Sequence, residues 1–106
     1  MHFYGTQAIN EQGHLTIGGV DAIELAQTYG TPLFVYDTAL IRNRARGFID
    51  TFKEYGVKAQ VAYASKAFAC IAAYQLAEQE NLSLDVVSGG ELYTAIKAGF
   101  PADRIH

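Results

Sequence analysis

The feature that most constrains this chain is an alternation. From Val57 onward, short apolar runs rich in β-formers take turns with longer runs of helical character. Val57 to Ser65 predicts a strand, Phe68 to Gln79 an alanine-rich helix, and Leu82 to Val87 a second strand. A second helix follows, running to Ala98. Each strand-and-helix unit takes about 25 residues, which suits βαβ connections and a parallel sheet. The punctuation agrees. Ser88-Gly89-Gly90-Glu91 has the form of a capping box, and Gly99 with Pro101 is a helix stop.

Upstream the signals are of the same kind. Leu15 and Ile17 alternate with polar neighbours before Gly18-Gly19, a short strand and a turn. Asp21, with Glu24 three positions on, predicts the start of a helix that stops at Gly30, just before Pro32. Leu33 to Tyr36 reads as a brief strand, after which Asp37 and Thr38 can cap a long helix. Ile41, Ala45, Phe48, Ile49, Phe52 and Tyr55 recur at steps of three and four, with Arg42, Asn43, Arg46, Asp50 and Lys53 between them. That spacing gives one apolar face and one wet face, and Gly56 closes the element.

Composition narrows the function classes. Half of the 106 residues are apolar and 18% are charged, the balance of a chain that buries a core. A formal charge of −3 with no basic run leaves no electrostatic footprint for nucleic acid. No stretch approaches the roughly 18 apolar residues of a membrane helix, and the N-terminus lacks the pattern of a signal peptide. Cys70 is alone, and His2, His14 and His106 are scattered, so neither a disulfide framework nor a metal site is predicted. These features predict a cytoplasmic protein with no membrane or nucleic-acid partner. Two βα units cannot close a barrel, and so narrow a parallel sheet would leave apolar edges open. The chain therefore reads as part of a longer protein.

The residues that can carry chemistry sit at strand ends. If Val61 to Lys66 is a strand, Val61, Tyr63 and Ser65 share one face, while Ala62, Ala64 and Lys66 share the other. The lysine's face is then lined with alanines, leaving room for something bulky. In the next strand Asp85 has the opposite parity to Leu84 and Val86, which puts it beside Lys66, with both groups buried. An amine withdrawn from water is more often neutral, the form that condenses with an aldehyde. A bland reading fits the same residues: a lysine solvated at the start of a loop and an aspartate capping a turn. Ser88-Gly89-Gly90 suits a phosphate cradle or simply a capped turn, and Arg42, Arg44 and Arg46 suit a wet helix face. Cys70 reads as buried helix packing, and Tyr63 and Tyr74 as core aromatics.

Four separated strings sharpen the choice: Thr31-Pro32-Leu33-Phe34-Val35-Tyr36-Asp37, Tyr63-Ala64-Ser65-Lys66-Ala67, Leu84-Asp85-Val86-Val87-Ser88-Gly89-Gly90-Glu91-Leu92, and Ala98-Gly99-Phe100-Pro101. In order and spacing they resemble the diaminopimelate decarboxylases, pyridoxal-phosphate enzymes with an alanine-racemase-like barrel. The resemblance covers the chain from about Gly18 onward; Phe68 departs from it, since many relatives have Asn there.

The resemblance implies an α/β fold, the N-terminal part of a (β/α)8 TIM barrel that binds pyridoxal 5'-phosphate. Residues 1–36 would belong to or lead from a separate β-domain, and residues 37–106 would be the first βα units of the barrel. It implies that Lys66 is the catalytic residue and holds the cofactor covalently, that Asp85 lies in the cofactor's neighbourhood, and that Ala64 sits against its ring. It also implies decarboxylation of meso-2,6-diaminopimelate to L-lysine and CO2, the last step of lysine biosynthesis, by a homodimer. Barrel decarboxylases of ornithine, arginine or carboxynorspermidine, and a non-catalytic protein that binds the cofactor, share the lysine strand. The phosphate-binding and substrate-binding residues of such enzymes would lie beyond residue 106, and the 106 residues alone would be inactive.

Overall fold

The computed structural model describes residues 2–106. The chain divides into two compact units, Met1–Arg44 and Ala45–His106.

In the first unit, β1 (Ala8–Ile9), β2 (Leu15–Ile17) and β3 (Val20–Asp21) form an antiparallel sheet in that order. The register pairs Ala8 with Thr16 and Ile9 with Leu15, then Thr16 with Asp21 and Ile17 with Val20. Gly18 and Gly19 make the β2–β3 turn at φ 61° and 79°. Two successive positive φ values match the twist of a tight hairpin, and only residues without a Cβ reach them freely. Helix α1 (Ala22–Tyr29) starts as its sequence predicts: Asp21 Oδ1 accepts the Ile23 N–H at 2.8 Å. It ends at Gly30, whose N–H donates to the Ala26 carbonyl.

Helix α2 (Thr38–Glu54) begins behind Asp37, and the boundary between the units falls within it. Asp37 Oδ1 accepts the Leu40 N–H at 3.0 Å, while Oδ2 takes the Thr6 N–H at 2.8 Å and the Thr6 hydroxyl at 2.7 Å. These donors hold the Asp37 carboxyl below its ordinary range, the Thr6 amide foremost. Gly5 is required here: a Cβ on it would run into the Asp37 carboxylate and Leu40.

The second unit carries the predicted alternation. Strand β4 (Ala62–Ala64) leads through a 3-10 turn, Ser65–Ala67, to α3 (Ile71–Gln79), then β5 (Ser83–Asp85), then α4 (Gly89–Lys97). Strands β4 and β5 are parallel, pairing Ala62 with Ser83, Tyr63 with Leu84 and Ala64 with Asp85. A third parallel partner begins on the far side of β5, where Ile105 bridges Leu84, the His106 N–H donates to the Leu84 carbonyl at 2.8 Å and the Val86 N–H to the His106 carbonyl at 2.9 Å. The core gathers Ala45, Tyr74, Ala77, Leu82, Leu84, Ala95 and Phe100, with Tyr63, Val61, Ile49 and Ile105 packed around it. Apolar residues from both sheet and helices are thus drawn to one side of the strands.

Several predicted elements differ. Leu33 to Tyr36 forms no strand: it is exposed throughout, and no strand among the described residues offers it a ladder. The strand predicted from Val57 shortens to Ala62–Ala64, because among the described residues β4 has a partner on one side only. The helix predicted from Phe68 starts at Ile71. Cys70 is not packing inside that helix but its N-cap, the Sγ accepting the Ala73 N–H at 3.5 Å.

Candidate functional site

The face of β4 and β5 turned away from the core carries Ala62, Ala64 and Asp85, all three exposed. Their neighbours Tyr63 and Leu84 point the other way, into the core. The alternation read from the sequence therefore assigns these residues to the correct faces, and the register sets Ala64 directly beside Asp85. On β4 this face carries only the methyl groups of Ala62 and Ala64, both exposed, while Ser83, beside Ala62 on β5, is fully buried.

Lys66 differs from the sequence reading in two respects. It lies in the 3-10 turn just past β4, not on the strand, so strand parity does not govern its direction. Within this segment both Lys66 and Asp85 are exposed rather than buried. Nor do the two form an ion pair with each other or with any other described residue. What remains of the expectation is the placement: Lys66 follows the C-terminal end of β4, and Asp85 ends the adjacent strand.

The turn carrying Lys66 is held from both sides. The Tyr63 hydroxyl donates to the Phe68 carbonyl at 2.6 Å, and the Phe68 N–H donates to the Ser65 carbonyl at 3.1 Å. Phe68 enters this bonding through its backbone. Ser65 is fully buried, and its Oγ lies 3.0 Å from the Asp85 carbonyl and 3.2 Å from Glu91 Oε2. That same Glu91 oxygen accepts the Val87 N–H at 2.8 Å. Ser88 Oγ caps α4 by accepting the Glu91 N–H at 3.1 Å, as the capping-box pattern predicts. Sequence reasoning missed the Ser65–Glu91 contact. The available signal was a serine sharing a face with Val61 and Tyr63, since a polar group on a buried face needs a partner.

Other candidates resolve as structure. Arg46 grips Glu80 with two bonds, Nε to Oε2 at 2.8 Å and Nη2 to Oε1 at 3.0 Å, and Glu80 holds the guanidinium above its ordinary range. The arginine is thus a partner of a buried carboxylate rather than part of a purely wet face. Arg104 bonds Glu78 at 3.1 Å. Tyr74 is fully buried in the core, and Tyr63 packs against it, both as read from the sequence. Among the described residues there is no group of three acidic, cysteine or histidine side chains able to hold a metal.

Residues 38–106 match the family model for the pyridoxal binding domain of pyridoxal-dependent decarboxylases. Over its whole length the chain is 73% identical to a diaminopimelate decarboxylase of Bacillus methanolicus and 67% identical to that of Bacillus subtilis strain 168. It spans only 24% of each of these relatives, about a quarter of their length. The solved diaminopimelate decarboxylase of M. jannaschii superposes on 94% of this chain with a TM-score of 0.85 and 40% identity, again using 24% of the solved chain. A second structure of that enzyme, in co-complex with L-lysine, gives a TM-score of 0.84 with the same coverage. β4, the lysine turn and β5 all lie inside the matched segment, and the chain belongs to the pyridoxal-dependent decarboxylase family.

Proposed function

We propose that this chain is the N-terminal part of an enzyme that decarboxylates meso-2,6-diaminopimelate to L-lysine and CO2, with pyridoxal 5'-phosphate as cofactor and Lys66 as its attachment point. The observation that carries the reading is positional. A lysine directly follows the C-terminal end of a parallel strand, next to a face of alanines and an aspartate, inside the segment that matches a pyridoxal binding domain. In parallel barrels that end of the strands is where active sites are built.

The residues present fit the group. Ala62 and Ala64 leave the floor open for a flat ring, and the exposed Lys66 amine is accessible to an aldehyde. Pyridoxal phosphate, when bound, supplies that aldehyde and a conjugated ring that takes up the electron pair left when CO2 departs. Lys66 would hold the group, and its Nζ is the amine of this chain that would accept or deliver a proton there. Asp85 lies in the cofactor's neighbourhood, contributing a carboxylate at the same end of the sheet. Ala64 would sit against the ring, where a larger side chain would compete for the space.

The same reading extends to the architecture. Residues 1–36 belong to or lead from a separate β-domain, residues 37–106 are the first βα units of a (β/α)8 barrel, and the protein works as a cytoplasmic homodimer. The short antiparallel sheet of β1 to β3 and the parallel pairing of β4 and β5 support this assignment. Among the described residues no helix is long and apolar enough to cross a membrane. The test is CO2 release by the full-length protein from meso-diaminopimelate, ornithine, arginine and carboxynorspermidine, with wild type and Lys66→Ala side by side. Release from diaminopimelate alone, lost in Lys66→Ala, is the expected result. Preference for another substrate refutes the assignment, and undiminished turnover in Lys66→Ala removes the lysine from it.

A further inference from the structure

We propose that Ser65 and Glu91 are positioning residues that lock the Lys66 turn onto strand β5, so that the amine meets the cofactor's aldehyde in one geometry. This rests on the reading of Lys66 given above. The observation behind it is a single carboxylate oxygen with two jobs. Glu91 Oε2 accepts the Val87 N–H at 2.8 Å and lies 3.2 Å from the hydroxyl of Ser65, 26 residues earlier in the chain.

An ordinary capping box explains only part of this. A glutamate at the third helical position normally returns to the N–H of the cap residue, here Ser88. Glu91 reaches one residue further, to Val87, and thereby brings its oxygen to the residue that precedes Lys66. Ser65 answers with a hydroxyl that is fully buried and also lies 3.0 Å from the Asp85 carbonyl. A hydroxyl has one hydrogen, so Ser65 shares it between a carbonyl and a carboxylate. One small cluster thus ties together the turn before Lys66, the backbone on both sides of Val86 and the first turn of α4.

The consequence for Lys66 follows from its own freedom. Its side chain is long and exposed in this segment, so the contacts seen here control the amine through the Cα that carries it. A displacement of about 1 Å at a reacting group costs up to about a hundredfold in rate. The Ser65–Glu91 contact fixes that Cα relative to Asp85, the other residue assigned to the cofactor's surroundings.

The test uses the full-length apoprotein and its Ser65→Ala, Glu91→Ala and Glu91→Gln variants. Each is mixed with pyridoxal phosphate and quenched with borohydride at intervals, and the fraction of Lys66 converted to pyridoxyl-lysine is read by peptide mapping. Because one oxygen makes both contacts, a glutamine amide oxygen can replace it. Ser65→Ala and Glu91→Ala are expected to label Lys66 about tenfold more slowly, and to lower kcat similarly while KM moves less than about threefold. Glu91→Gln is expected to recover most of that loss. Labelling at the wild-type rate in both alanine variants, whatever happens to their melting temperatures, overturns the inference. So does a glutamine variant as slow as the alanine one. If wild-type protein itself labels nowhere at Lys66, the cofactor assignment fails first and takes this inference with it.

Discussion

Leu84 is the side chain on which the sheet most depends, and replacing it by Ala tests the packing directly. It is fully buried, pairs with Tyr63 in β4, and bridges to Ile105 on its other side. Its neighbours in the core include Tyr74, Ala77, Ala95 and Phe100. Transfer of the side chain back to water accounts for about 2 kcal/mol, and an unfilled cavity adds to it. A total near 3 kcal/mol is expected, since the site is fully buried and packed by core side chains on its apolar side. That loss raises the local opening constant by roughly a hundredfold. Hydrogen exchange by mass spectrometry on the full-length protein reads it at the Ser83 and Val86 amides, which donate to the Val61 and His106 carbonyls at 2.9 Å each. Exchange accelerated by less than about threefold would refute the claim that Leu84 anchors the sheet.

Three further outcomes follow from single contacts. Cys70→Ser is expected to protect the first turn of α3 more strongly against exchange, by about 0.5 kcal/mol, because a hydroxyl caps better than a thiol; Cys70→Ala is expected to protect it less. Asp37 is held below its ordinary value by Thr6 and Leu40, so its contribution is complete above pH of about 4 and is lost as pH falls through the lower folded value. Carboxyl NMR shifts followed with pH should therefore show Asp37 titrating later on acidification than in Thr6→Ala; coincident curves contradict this. Ala64→Leu is expected to fold with an unchanged melting profile but to retain no pyridoxal phosphate after dialysis, read by visible absorbance.

Much of this was legible in the sequence because it is local. Helix α1 is set by Asp21 and Gly30, α4 by Ser88 and Gly99, and the hairpin by Gly18-Gly19, each through bonds within a few residues. The faces of β4 and β5 followed from alternation alone. What failed depended on distant partners. Leu33 to Tyr36 has strand-like residues but no ladder beside it among the described residues, and the span from Val57 shortened for the same reason. Lys66 lies past the strand because the chain leaves strand geometry at Ser65, whose hydroxyl meets Asp85 and Glu91, twenty or more residues away. Burial of Lys66 and Asp85 was inferred from parity, yet parity names a face without saying what covers it.

The account turns on which amine in the protein takes up the aldehyde of vitamin B6. Borohydride reduction of the full-length protein with bound pyridoxal phosphate, followed by peptide mapping, answers this in one measurement. A pyridoxyl group on Lys66, absent when Lys66 is alanine, is the predicted result. A pyridoxyl group on Lys53, Lys58 or Lys97, with Lys66 unmodified, would contradict it.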